Sequence, residues 1–234
     1  MKVLYIFPHP DDESFGPAPA MHAQLQGGHE VCLLTYTRGG ATKVRHELGK
    51  TVDEMGEIRL KEMKEVSRVL GLSHMTVLNL PDSGLKNMDP LELEKITESF
   101  IINLRPDVLV TYPVHGISGF HDHLVTHAIV KRVFCKMKKS GDWYPRRLAF
   151  FTLAESDQPD GKFRLSTSTK EEIDCAVPLS RQDLLAGEKA LACYKTYKKV
   201  IEDAKVMSRI GETVYYEFFD EAYDPAVSSL FHGL

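Results

Sequence analysis

Residues 3–13 read Val3-Leu4-Tyr5-Ile6-Phe7-Pro8-His9-Pro10-Asp11-Asp12-Glu13. Five consecutive apolar residues, ended by a proline, predict a strand buried on both faces, as in a parallel sheet covered by helices. Outward from this strand, helix and strand signals alternate. Residues 17–26 predict a helix closed by Gly27 and Gly28, and 30–37 a second strand. Residues 53–70 have helical apolar spacing at Met55, Ile58, Met63, Val66 and Leu70, with Gly71 as the stop. A third strand follows at 75–80, then a helix at 90–104 capped by Asp89 with Pro90 in its first turn. Residues 107–112, 124–137 and 147–153 read as strand, helix and strand. The fold class is therefore α/β: a Rossmann-like, mainly parallel sheet flanked by helices. Residues 155–170 are polar and read as a loop or lid. A short strand at 173–177, a helix over 181–200 and a last strand at 213–219 form a C-terminal completing segment. We expect a single domain over 1–234, with its core at about 1–154 and that segment at about 155–234.

Composition narrows the function. The 234 residues are 43% apolar, enough for a sizeable core, and the net charge is −4 with signs mixed throughout. No basic stripe suggests nucleic acid, and no apolar stretch is long enough to span a membrane. The four cysteines, Cys32, Cys135, Cys175 and Cys193, show no CxxC spacing. They read as free thiols, and the expected location is cytoplasmic. Self-association is left open.

The chemistry-bearing residues follow the first and fourth strands. In open parallel sheets, ligands bind at the carboxyl ends of the strands. His9, Asp11, Asp12 and Glu13 put one imidazole and three carboxylates at such an end. Crowded like charges need a cation or hydrogen bonds to compensate. His9 and Asp12, three apart in a turn, can aim at one metal ion, and Asp11 then lies beside it without having to be a ligand. The plainer alternative is an acidic cap on the next helix. The second cluster holds His115, His121, Asp122, His123 and His127. A catalytic zinc wants three protein ligands and an open position; one histidine from this cluster completes the set, and His123 sits at the helix start. Asp122, flanked by His121 and His123, suits the role of a carboxylate that fixes a ligand's tautomer. His127 reads as a helix-face residue and His115 as part of the loop.

These motifs resemble the PIG-L/LmbE-like de-N-acetylases, a family that includes deacetylases of mycothiol, bacillithiol and glycosylphosphatidylinositol precursors. The resemblance rests on the His9-Pro10-Asp11-Asp12-Glu13 opening and on Arg59-Leu60-Lys61-Glu62 leading to Leu70-Gly71. It extends through Leu80-Pro81-Asp82-Ser83-Gly84-Leu85, Gly119-Phe120-His121-Asp122-His123 and residues 189–197. It implies that His9, Asp12 and His123 bind Zn²⁺ and that Asp11 is the general base. It also implies that Arg59 and Asp82 bind the sugar and that Tyr194 lies near the reacting carbonyl. Glu13 and Asp122 would support the ligands from behind. The chain departs from the family pattern at Phe120, which stands where a catalytic histidine is usual, at His121, which replaces a proline, and at Tyr197, which replaces a common glutamine. Tyr194 or His121 is then expected to supply the missing donor. The implied reaction is hydrolysis of the acetamide of a small N-acetylated amino sugar. The alternatives are a zinc-bearing sugar-binding relative with little turnover and a different metal-dependent hydrolase.

Overall fold

The apolar run of the opening forms β1 (Lys2–Phe7), and alternate residues of it feed two cores. Val3, Tyr5 and Phe7 point into one and Leu4 and Ile6 into the other, all fully buried. The computed structural model describes residues 1–141, 143–155 and 165–234. After β1 come α1 (Ala18–Gln26), β2 (Glu30–Thr37), the short α2 (Val44–Glu47), α3 (Val52–Leu70), β3 (His74–Leu80), α4 (Pro90–Leu104), β4 (Val108–Thr111), α5 (His121–Ser140) and β5 (Arg147–Thr152). The chain then adds β6 (Cys175–Pro178), α6 (Arg181–Cys193), α7 (Lys198–Ala204), α8 (Val206–Ile210) and β7 (Thr213–Phe218).

One seven-stranded sheet has the order β3-β2-β1-β4-β5-β7-β6. The first five strands are parallel, whereas β7 runs antiparallel to both β5 and β6. The α/β expectation is met. The order reverses between β1 and β4, so the chain leaves those two strands in opposite directions. Their carboxyl ends are the place where such sheets bind ligands.

Two helices depart most from the sequence expectation. Helix α5 begins at His121, three residues earlier than its apolar pattern suggests, because polar residues fill its first turn. The helix expected over 181–200 stops at Cys193. There the backbone N–H of Thr196 donates to Glu62 at 2.9 Å instead of to a helical carbonyl. Most of the loop expected at 155–170 lies outside the described residues. At its far end Ser168 bridges Ala154.

Candidate functional site

The turn after β1 is not a helix cap. Helix α1 starts at Ala18 with Pro17 as its cap, without a side-chain capping bond and with no acidic residue in its first turn. The carboxylates of Asp11, Asp12 and Glu13 face elsewhere. Asp12 is 5% exposed. Its Oδ2 accepts from the backbone N–H of His9 at 2.8 Å, and its Oδ1 accepts from the Tyr112 hydroxyl at 2.8 Å.

Two imidazoles converge on Asp12. His9 Nδ1 lies 3.6 Å from Asp12 Oδ2, and His123 Nε2 lies 3.4 Å from Asp12 Oδ1. The other nitrogen of each ring is anchored. His9 Nε2 donates to Asp122 Oδ2 at 3.2 Å, with Asp82 Oδ1 3.3 Å away. His123 Nδ1 donates to the Gly116 carbonyl at 2.9 Å and sits 3.2 Å from Ser118 Oγ. A neutral imidazole whose outer nitrogen holds the proton presents a lone pair at the inner one, the tautomer a metal ligand needs. One ligand atom from each of His9, Asp12 and His123 lies within 4.8 Å of the others. Ligands bonded at ~2.1 Å around a tetrahedral ion are separated by about 3.4 Å, so the three fit a metal ion. His9, Asp82 and Asp122 also cluster, but there they share the anchored Nε2 edge, so the two carboxylates read as its support.

Charge agrees with geometry. Burial works against a charged His9, yet the carboxylates of Asp12, Asp122 and Asp82 push its pKa up to about 10. The site therefore attracts a second positive charge, a proton or a metal ion. Burial opposes the ionised form of Asp12 too, but His123 and His9 hold its carboxyl well below the usual range. For Asp11, burial together with Asp12 and Glu13 outweighs the Arg59 guanidinium and lifts the pKa to about 7.

The expected ligands and the expected base thus come together, and other expectations change. Asp122 does not serve its sequence neighbours; it anchors His9 and accepts backbone N–H groups from Ser83 at 2.8 Å and Leu85 at 3.3 Å. Arg59, expected to bind sugar, is 3% exposed. Its Nη2 donates to the Pro10 carbonyl at 2.5 Å and to Asp11 Oδ2 at 2.6 Å, and its Nη1 to the Gly39 carbonyl and the Tyr197 hydroxyl, both at 3.1 Å. Its Nε is buried with no partner among the described residues, so the one N–H left over does not reach the surface. Asp82 accepts from Ala41 N at 2.6 Å while facing His9.

Tyr194 is 1% exposed. Its hydroxyl donates to Glu13 Oε1 at 2.7 Å and accepts from Asp11 N at 2.8 Å. A hydroxyl has one proton to give, so here it has none for an oxyanion. His121 opens α5 on the surface. Phe120 is 61% exposed and sets its edge against His123, with 5.6 Å between ring centres. His127 is buried against the Tyr112 carbonyl, and His115 accepts from Ile117 N within its loop. Sequence reading missed Tyr112, which bonds Asp12 and stacks on His123 at 4.1 Å. Its signal was a hydroxyl-bearing ring just past the carboxyl end of β4.

Comparison with known proteins fits this geometry. The PIG-L family, described as GlcNAc-PI de-N-acetylase, matches residues 4–134, more than half of the chain. A 1D-myo-inositol 2-acetamido-2-deoxy-alpha-D-glucopyranoside deacetylase of Thermomonospora curvata is 30% identical over 152 residues, covering 56% of this chain and 51% of that protein. The chain spans about half the length of this and other curated relatives it matches. Among solved structures, the zinc-inhibited form of teicoplanin deacetylase Orf2 superposes with a TM-score of 0.71 at 14% identity, covering 95% of this chain and 100% of that one. GalB, the 4-carboxy-2-hydroxymuconate hydratase of Pseudomonas putida KT2440, superposes with a TM-score of 0.70 at 12% identity, covering 95% and 98%. At such identities the likeness establishes the fold, and this fold carries more than one chemistry.

Proposed function

The chain belongs to the PIG-L family of GlcNAc-PI de-N-acetylase, and from that premise we propose that it is a zinc-dependent de-N-acetylase. It hydrolyses the acetamide of an N-acetylglucosamine-type sugar and releases acetate and a free amine. The observation that carries this reading is the pair of anchored imidazoles whose inner nitrogens converge on Asp12, with the Asp11 carboxyl near enough to feel the charges of Asp12 and His9. The acetamido sugar in the name of the Thermomonospora curvata relative supports the substrate class.

His9, Asp12 and His123 would hold one Zn²⁺, the three-ligand complement of a catalytic site. When bound, the ion supplies Lewis acidity that polarises an amide carbonyl and lowers the pKa of water. Asp11 takes a proton from the attacking water as its oxygen adds to the acetyl carbon. It returns that proton to the nitrogen as the carbon–nitrogen bond breaks. Asp122 and the Gly116 carbonyl keep both imidazoles in the binding tautomer, and Tyr112 holds Asp12. On this reading residues 1–234 work as one catalytic unit on a small molecule. The four free cysteines suit the reducing cytoplasm.

Metal analysis of the purified protein, paired with acetate release from N-acetylglucosamine and its glycosides, tests the proposal. We expect one zinc per chain and acetate produced in step with free amine. Two metals per chain, or turnover without acetate, would overturn it. The exposed Phe120 beside His123 favours a second reading, a sugar-binding relative with little turnover. That reading gains if acetate release stays near background and Phe120→His raises it by on the order of 10²-fold, the scale of one positioned proton donor.

A further inference from the structure

The peptide unit between Pro10 and Asp11 is gripped at both ends. Its carbonyl accepts from Arg59 Nη2 at 2.5 Å, and its N–H donates to the Tyr194 hydroxyl at 2.8 Å. The backbone torsion that follows, φ of Asp11, is +88°, a region that residues with a side chain rarely adopt. Such a conformation persists only where its surroundings over-determine it. The two grips come from elements distant in sequence: Arg59 lies mid-way along α3, and Tyr194 at the break after α6.

Each grip is itself oriented. The Tyr194 hydroxyl gives its proton to Glu13 Oε1, which turns a lone pair toward Asp11 N. Arg59 is stacked over the Tyr197 ring, 4.0 Å from its centre, and reaches the turn past Gly39. Gly39 has φ +63°, and a Cβ there would lie 2.5 Å from Arg59 Nη1 and 2.9 Å from Pro10 Cδ. The Glu62 carboxylate binds Thr196 N and Oγ1 at 2.9 and 2.8 Å, which docks the same break onto the same helix.

We infer that Arg59 and Tyr194 form a peptide clamp. It fixes the strained turn, aims the Asp11 carboxylate and sets the spacing of His9 and Asp12. Both are positioning residues, neither a sugar ligand nor an oxyanion donor, and the C-terminal segment thereby completes a turn made by the first strand. Tyr194 lies beyond residues 4–134, where the family match ends. The inference rests on the proposed function for its effect on turnover, and its effects on the backbone and on metal affinity are separate.

The test uses Arg59→Lys, Tyr194→Phe and the double variant, with Tyr216→Phe as control. Tyr216 is a buried tyrosine of β7 whose hydroxyl meets Tyr5. Hydrogen exchange of residues 8–15, zinc affinity by chelator competition without substrate, and kcat and KM for acetate release are read on each. Each clamp variant should speed exchange in the turn, weaken zinc on the order of tenfold and lower kcat on the order of 10²-fold with KM nearly unchanged. The double variant should be no worse than the worse single, because either release frees the same peptide. The control should alter none of the three. Unchanged exchange and zinc affinity, with a raised KM for Arg59→Lys or additive kcat losses in the double variant, would overturn the clamp. Faster exchange and weaker zinc in a protein that releases no acetate from any sugar would uphold the clamp and refute the proposed reaction.

Discussion

The turn after β1 and the loop entering α5 each deliver a histidine to Asp12, but they are held in different ways. The first turn depends on remote partners: Arg59 from α3, Tyr194 from beyond α6 and Tyr112 from the end of β4. The second is mostly held by itself. His123 is anchored by Gly116 and Ser118, seven and five residues away. Gly116 has φ +63°, and a Cβ there would sit 3.0 Å from His123 Cβ. A turn that carries His9, Asp11 and Asp12 within four residues must hold a strained shape, and long-range contacts supply the restraint. A loop that brings one ligand to a helix start can be set by its own backbone.

The largest expected contrast comes from Asp11→Asn. On the proposed assignment Asp11 is a base and not a ligand, so the variant should keep its zinc and lose on the order of 10²–10⁴-fold in kcat. Loss of metal in that variant would make Asp11 a ligand and erase the division of labour in the first turn. Asp122→Asn strikes the point where the two segments meet, since α5 there anchors His9. It should weaken zinc roughly 10–100-fold, read by chelator competition. An affinity equal to wild type would mean that His9 needs no anchor from α5. The smallest effect belongs to the self-held loop. Gly116→Ala should cost about 1–2 kcal/mol of stability, the strain of a left-handed non-glycine residue, measured by urea unfolding. A cost near zero would show that this loop is not set by its glycine.

The same contrast explains what could be read from the sequence. The strands, the sheet class and the convergence of His9, Asp12 and His123 were legible because their signals are local: an apolar run, a turn with His and Asp three apart, histidines at a helix start. The contacts of Arg59 and Tyr194 with the Pro10–Asp11 peptide were not, because that peptide lies 49 and 183 residues away. Arg59 did leave a trace. It falls on the buried face of α3 with Met55, Glu62, Met63 and Val66, an odd place for a residue that must reach a ligand. The break at Tyr194 had no such trace, since the pull of Glu62 on Thr196 comes from another helix. The meeting of Asp122 with His9 was not legible either, because it depends on how α5 packs against β1.

On the proposed function both segments serve one metal ion that is needed for amide hydrolysis. Metal-free protein titrated with Zn²⁺ while acetate release from an N-acetylglucosamine glycoside is followed tests it most directly. We expect no acetate without metal, a rise that levels off at one zinc per chain, and no rise in His123→Ala at the same loading. Full activity in the metal-free protein, or a His123→Ala variant that titrates like wild type, would contradict it.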